Sequence, residues 1–224
     1  MSELEDVFEV AAAFHSFEAP WWIAGGWAID LHLGRVSRAH HDVDVLVLRR
    51  DQMLLHPALA GFELKKIVPH PEGLSGRGRI ADWKSGERDG QRDAGRIRWR
   101  EGTITEWEAP ERLELSIHQV NAYPIGKSEM SFQIMFGESD GAEWWYRRDA
   151  RIRRRLDAIG CKRQQDTPYL APEIMLLFKA KTMRSYDQND FETVLPMLTQ
   201  EARGWLSAAL AIAHPSHPWI ARLN

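Results

Sequence analysis

The chain has one cysteine, Cys161, so no disulfide can form within it, and that suits a reducing compartment. It has almost no charge of either sign to spare. The 29 Lys and Arg against 32 Asp and Glu leave a formal net charge of -3. A protein whose main task is gripping long nucleic acid usually carries a basic excess, so bulk polynucleotide binding is disfavoured and only a local basic patch stays open. No apolar run approaches the roughly 18 to 20 residues of a membrane helix. The start, Met1-Ser2-Glu3-Leu4-Glu5-Asp6, is acidic, unlike the positively charged opening of a signal peptide. The expectation is a cytoplasmic protein without a membrane span.

Aliphatics and aromatics are not scarce. Apolar residues make up 44% of 224, enough for a sizeable core in one large or two small domains. Tryptophan is frequent, at 10 residues. Packing is the commoner use of such residues; a platform stacking on a base or sugar is the sharper one.

Leu4, Val7, Phe8, Ala11 and Phe14 fall at helical spacing, which predicts an amphipathic helix over about the first 17 residues. Trp21 to Ala24 reads as a strand stopped by Gly25-Gly26. Trp27 to Leu33 reads as a helix closed by Gly34. Val43, Val45 and Val47 alternate with Asp44, Leu46 and Leu48, a second strand. A helix over 51–60 and strands over 63–68, 113–122 and 130–136 follow, the last two joined by a turn at Pro124-Ile125-Gly126. Residues 69–112 are rich in Gly, Arg and Asp, with eight Lys/Arg and five Asp/Glu from Glu72 to Arg100, and read as an inserted loop or hairpin. After Pro168 the pattern turns helical: one helix led by Pro172 and Glu173, another from Asp190 to Leu198, and a last one capped by Thr199. The expected organisation is an α+β mixed-sheet core over 1–160 with the insertion, then a helical region over 161–224.

The chemistry concentrates between Trp22 and Leu48. Asp42 and Asp44 stand two apart on a strand, so both carboxylates leave one face. Side by side they repel, and a divalent cation relieves that repulsion. Magnesium accepts a few carboxylates together with waters and substrate phosphates. Gly25 and Gly26 let backbone approach a phosphate closely, and the helix behind them offers unpaired N–H groups. One element would seat a triphosphate and the other its metal, the layout phosphoryl transfer needs. Gly-Gly alone, or Asp-x-Asp alone, says little; their order as strand, Gly-Gly, helix, loop and Asp-x-Asp strand says much more.

Residues 23–45, IAGGWAIDLHLGRVSRAHHDVDV, resemble the signature of the aminoglycoside 2''-nucleotidyltransferases and their uncharacterised relatives, within the DNA polymerase β-like superfamily. Gly25 to Asp30, Leu33 to Val36 and Asp42-Val43-Asp44 carry the likeness, with 15 residues between Gly26 and Asp42. Trp145 to Asp149, Tyr169 to Glu173 and Leu177 to Lys181 extend it. The resemblance implies a mixed-sheet nucleotidyltransferase core, two Mg2+ ions, and transfer of a nucleoside monophosphate from a triphosphate such as ATP to a hydroxyl. It also implies a third carboxylate on a later strand. There this chain has Gln133, and Glu138 just beyond is the candidate substitute. Lys179, followed by Asp187-Gln188-Asn189-Asp190, matches a helix lysine that contacts triphosphate in such enzymes.

The catalytic candidates are therefore Asp42, Asp44 and Glu138, with Asp42 and Asp44 on metal. The nucleotide-binding candidates are Gly25, Gly26, Trp27, Arg38 and Lys179. For Arg38 a solvent-facing role is the plain alternative, for Lys179 a helix lysine extending to water, and for Asp30 a helix anchor. His40 and His41 lack a third ligand at zinc spacing and read as loop histidines. Three functions fit: transfer to a small, aminoglycoside-like hydroxyl compound, whose positive charge Glu138, Asp140 and Glu143 would meet; transfer to an RNA end or a protein; or nucleotide binding without catalysis, which Gln133 suggests.

Overall fold

β-Branched residues on one face and a carboxylate on the other make Val43–Leu48 a strand that fits only inside a sheet: Val45 and Val47 are completely buried, while Asp44 keeps some access to solvent. The computed structural model describes residues 4–69, 102–126, 131–163 and 166–224. Its strands are β1 (Trp21–Ala24), β2 (Val43–Leu48), β3 (Phe62–Pro69), β4 (Gly102–Glu106), β5 (Gln119–Pro124), β6 (Phe132–Asp140), β7 (Glu143–Tyr146), β8 (Asp149–Arg155), β9 (Gly160–Lys162) and β10 (Pro168–Leu170). They form a mixed sheet in the order β4-β3-β5-β6-β2-β1-β10-β9, and β7 and β8 continue as a ribbon from the far end of β6. β2 runs antiparallel to β1 and parallel to β6. The α+β mixed-sheet expectation holds.

Helices cover both faces. On one, α1 (Glu5–Ala13) buries Val7 and Val10, and Phe14 behind it stacks on Trp21 and meets Phe132. On the other, α2 (Gly25–Leu33) lies against β2 and is packed by α4 (Pro172–Lys179). Next come α5 (Ser185–Val194), α6 (Gln200–Ala213) and α7 (Trp219–Leu223). Gly34, at φ 73°, closes α2 with its N–H on the Asp30 carbonyl, and the Thr199 hydroxyl accepts from the Ala202 N–H to open α6.

Several boundaries differ from the sequence reading, each for a local reason. Residues 51–60 are not one helix: a 3-10 stretch, Arg49–Leu54, gives way to the short α3 (Leu55–Ala58), where Pro57 supplies no N–H. Residues 113–118 are not strand, because side chains take the ladder's place. Leu113 N–H donates to Gln52 Oε1, and Arg49 donates to the carbonyls of Glu114 and Ile117. α5 starts at Ser185 rather than Asp190, its first turn closed by Asp187 accepting from the Arg184 N–H. The β7–β8 ribbon was not anticipated; its arginine-rich second strand turns Ile152 inward and pairs Arg151, Arg153 and Arg155 with nearby carboxylates. The boundary drawn at residue 160 falls at the start of β9, which, with β10, joins the same sheet as β1. Most of the expected insertion, and residue 130 of an expected strand, lie outside the described residues.

Candidate active site

The loop from α2 to β2 is built around a buried carboxylate. Asp30 is wholly inaccessible and accepts from the Ser37 N–H at 3.1 Å, from Ser37 Oγ at 2.5 Å and from His40 Nε2 at 2.5 Å. The His40 ring lies against Trp27, centroids 4.3 Å apart. A buried carboxylate with three donors holds its surroundings firmly, so Asp30 fixes the path of the chain to Arg38 and the aspartates, and not the helix alone.

Both glycines are demanded by close approach. Gly25 has φ 65°, and a Cβ there would overlap the Asp44 carboxylate. A Cβ on Gly26 would overlap the Arg38 guanidinium and the His40 ring. Ala24 pairs directly with Asp44 across β1 and β2. The glycine turn, the start of α2 and the aspartates therefore share one place at the N-terminal end of β2. Asp42 is exposed and Asp44 half-buried. Burial, and then repulsion by Asp42, push the Asp44 carboxyl up to about 7, while Lys179 and Arg184 pull the other way. Two carboxylates that resist being charged together suit a divalent cation.

A cationic group from the C-terminal helices closes the other side. Arg38 meets Asp190 with two parallel hydrogen bonds, Nε to Oδ1 at 3.1 Å and Nη2 to Oδ2 at 3.2 Å. Lys179 Nζ stands 2.8 Å from Asp190 Oδ2 and 3.3 Å from Asp187 Oδ1. Arg184 joins Asp187 and Tyr186. Tyr186, partly exposed, has Arg38, Lys179 and Arg184 at 5.2, 5.8 and 5.2 Å from its ring centre. Three cations thus face two carboxylates beside the glycine turn. Asp190 holds both Arg38 and Lys179, and Asp187 also holds Lys179; Asp190 lies inside α5 and does not cap it. Arg184 and Tyr186 were not picked out in the sequence, where they look like ordinary residues of a helix start.

Gln133 stands directly opposite Asp44 in the parallel β2–β6 pairing. Its Nε2 donates to Asn121 Oδ1 at 3.3 Å, and Asn121 Nδ2 donates to Tyr123 Oη at 3.2 Å. Asp42, Asn121, Tyr123, Ser131, Phe132 and Gln133 line a small cleft of about 10 Å³, room for a single water or hydroxyl group.

Three expectations need correcting. Glu138 is not brought to the aspartates. It lies five residues beyond Gln133 along β6, roughly 16 Å at about 3.3 Å per residue, and an odd step turns it to the other face. There its Oε1 accepts from Arg49 Nε at 2.7 Å. Asp140, the last residue of β6, and Glu143, the first of β7, expected around a cationic acceptor, pair across that turn and meet Arg153 instead. Trp27 does reach the site, but its ring is buried against His40, which leaves little open face for a base or sugar to stack on.

Among the described residues, no cluster of three or more His, Cys, Asp and Glu side chains could hold a metal. The donors beside the glycine turn are the Asp42 and Asp44 carboxylates. These are hard oxygen donors, and magnesium commonly takes only one or two carboxylates beside phosphate oxygens and water. The residues present therefore fit Mg2+.

Residues 6–66 match the family model of aminoglycoside-2''-adenylyltransferase. Over 71 residues the chain is 49% identical to 2''-aminoglycoside nucleotidyltransferases of Escherichia coli and of Klebsiella pneumoniae, a stretch that covers 32% of this chain and 33% of each relative. The match thus spans about a third of the length of these curated relatives. In three dimensions the likeness runs further. The crystal structure of ANT(2'')-Ia with adenylyl-2''-tobramycin superposes with a TM-score of 0.52, at 11% identity, over 95% of this chain and 99% of that one. The solution structure of ANT(2'')-Ia gives 0.51, at 14% identity, over 96% and 94%. At such identity the superposition speaks for the fold. The chain resembles the aminoglycoside 2''-nucleotidyltransferases, in sequence across its N-terminal third and in fold across nearly its whole length.

Proposed function

We propose that this protein is a magnesium-dependent nucleotidyltransferase that moves a nucleoside monophosphate from a nucleoside triphosphate, such as ATP, to a hydroxyl of a small, polyhydroxylated molecule of aminoglycoside-like type. The observation that carries the reading is the contact of Gly25 with the Asp44 carboxylate, which puts a phosphate-seating turn and an acidic pair in one place. The named relatives act on aminoglycosides, and the adenylylated tobramycin of the solved structure is a product of this kind.

In this reading the Gly25-Gly26 backbone and the first N–H groups of α2 hold the triphosphate. Arg38, Lys179 and Arg184 neutralise its β- and γ-phosphates. Asp42 and Asp44 would hold Mg2+, which lowers the pKa of the acceptor hydroxyl and stabilises the departing charge. The acceptor oxygen attacks the α-phosphorus, the bond to the bridging oxygen breaks, pyrophosphate leaves, and the hydroxyl proton passes to solvent. Gln133 cannot take that proton, because an amide is no base at neutral pH. Strands and helices on both sides of residue 160 build the site, which argues for a core and a helical region working as one body.

The test is transfer of α-labelled nucleotide to a panel of aminoglycosides and sugars. Label appearing on an acceptor only with Mg2+ supports the reading; no transfer from any of the four triphosphates sinks it. Gln133 favours one rival, nucleotide binding without catalysis. That rival predicts tight Mg2+–ATP binding by calorimetry with no label transferred.

A further inference from the structure

We propose that Asn121 and Gln133 are the acceptor-reading residues of this site: an uncharged pair that recognises a hydroxyl next to the one that reacts. This rests on the nucleotidyltransferase reading above and adds the chemistry of the acceptor's contact.

The pairing register sets the geometry. Asp44, Gln133 and Asn121 are successive partners across β2, β6 and β5, so their side chains leave the same face in one row. Lys65 on β3 is the next partner of Asn121. Gln133 and Asn121 are both buried to more than nine-tenths, although both are polar and both line the cleft beside Asp42. Burying polar side chains is costly unless they are hydrogen-bonded. Here the bonds run in one direction: Gln133 Nε2 to Asn121 Oδ1, then Asn121 Nδ2 to Tyr123 Oη. That chain locks both amide planes. It leaves the Gln133 carbonyl oxygen, the second N–H of each amide and the Tyr123 hydroxyl hydrogen to be offered to a ligand.

A row of this kind presents donors and acceptors together with no net charge. A sugar hydroxyl, which donates once and accepts twice, matches it. An ammonium only donates and carries a charge that an amide does not neutralise. A carboxylate at either position would reverse the preference. Selection against an analogue lacking the hydroxyl follows from the same burial, because the amides would then be left without a partner.

The experiment uses the full chain saturated with Mg2+–ATP and three probes: methyl glucoside, its 3-amino-3-deoxy derivative and its 3-deoxy derivative. Binding is followed by calorimetry and turnover by label transfer. The unaltered chain should take the 3-hydroxy sugar about 10- to 100-fold better in kcat/KM than either derivative. Asn121→Ala should raise the acceptor KM with little change in kcat and no change in ATP binding. Asn121→Asp should move the preference toward the amino sugar by tenfold or more. Gln133→Leu, which keeps the volume but cannot bond to Asn121, should lose the same discrimination. Mg2+–ATP binding and the melting temperature, measured on every variant, separate lost recognition from lost folding. Equal handling of the three sugars with intact Mg2+–ATP binding overturns this inference and leaves the nucleotidyltransferase reading in place. So does failure of all three to bind. Loss of Mg2+–ATP binding by the unaltered chain would overturn both.

Discussion

The two ends of the β2–β6 pair hold acidic groups in opposite circumstances. At the far end Glu138 is buried beside Arg49, which donates to it at 2.7 Å and also ties down the carbonyls of Glu114 and Ile117. At the near end Asp44 is close to Asp42, and the cations within electrostatic reach, Lys179 and Arg184, are engaged with Asp187 and Asp190. The first arrangement is neutralised from within the protein and locks a loop to the sheet. The second is only partly compensated, beside the glycine turn, and keeps some access to solvent. Buried charges that find partners serve structure; those left without full compensation mark places where a ligand completes the electrostatics.

The contrast is sharpest under substitution. Asp44→Asn should cut nucleotide transfer by about 1,000-fold, with folding intact or improved because a strained carboxylate is removed. Label transfer and a denaturant titration check the two halves. Glu138→Gln should do the reverse. Leaving the Arg49 guanidinium short of its counter-charge should cost roughly 3 to 5 kcal/mol of stability, while Mg2+–ATP binding at low temperature stays unchanged. If Glu138→Gln abolished transfer at full stability, the division between the two ends would be wrong.

Smaller effects refine the picture. Arg38→Ala should raise the KM for the nucleotide about tenfold, the loss of one charge-assisted contact, with Lys179 still held by Asp190. The pH dependence of the metal-free protein provides another check. The Asp44 carboxyl titrates near 7 when folded and near about 3.9 when unfolded. The folded state therefore binds the extra proton between these values, and the stability due to this group falls as pH rises from about 4 toward 7. Asp44→Asn should flatten that part of the profile, as measured by urea unfolding at several pH values. Thr199→Ala, distant from both ends, should cost only about 1 kcal/mol and leave transfer untouched.

Much of the near end was legible in the chain itself. Gly25-Gly26, the 15-residue spacing and the Asp42-x-Asp44 alternation lie within one continuous stretch, where local geometry dictates what faces what. The same holds for the Gly34 stop and the Thr199 cap, which need only neighbouring residues. Glu138 was misplaced because it is close to Gln133 in sequence, while strand alternation carries it to the other face and Arg49 claims it from another element. Between packing and stacking, the sequence left the use of the Trp27 ring open, because a ring's burial depends on what folds over it, here His40.

What the sequence alone determined is the order of elements at the N-terminus and the chemical types that meet there, since a strand's period and a glycine's missing side chain act over a few residues. Only the tertiary structure decided which cations reach Asp44, that Asn121 stands behind Gln133, and that Glu138 belongs to a structural ion pair. Those outcomes rest on the register between β2, β6 and β5 and on the docking of α4 and α5. β5 and β6 are near neighbours in the chain, but the Arg49–Glu138 and Arg38–Asp190 contacts join residues 89 and 152 positions apart, which no local pattern encodes.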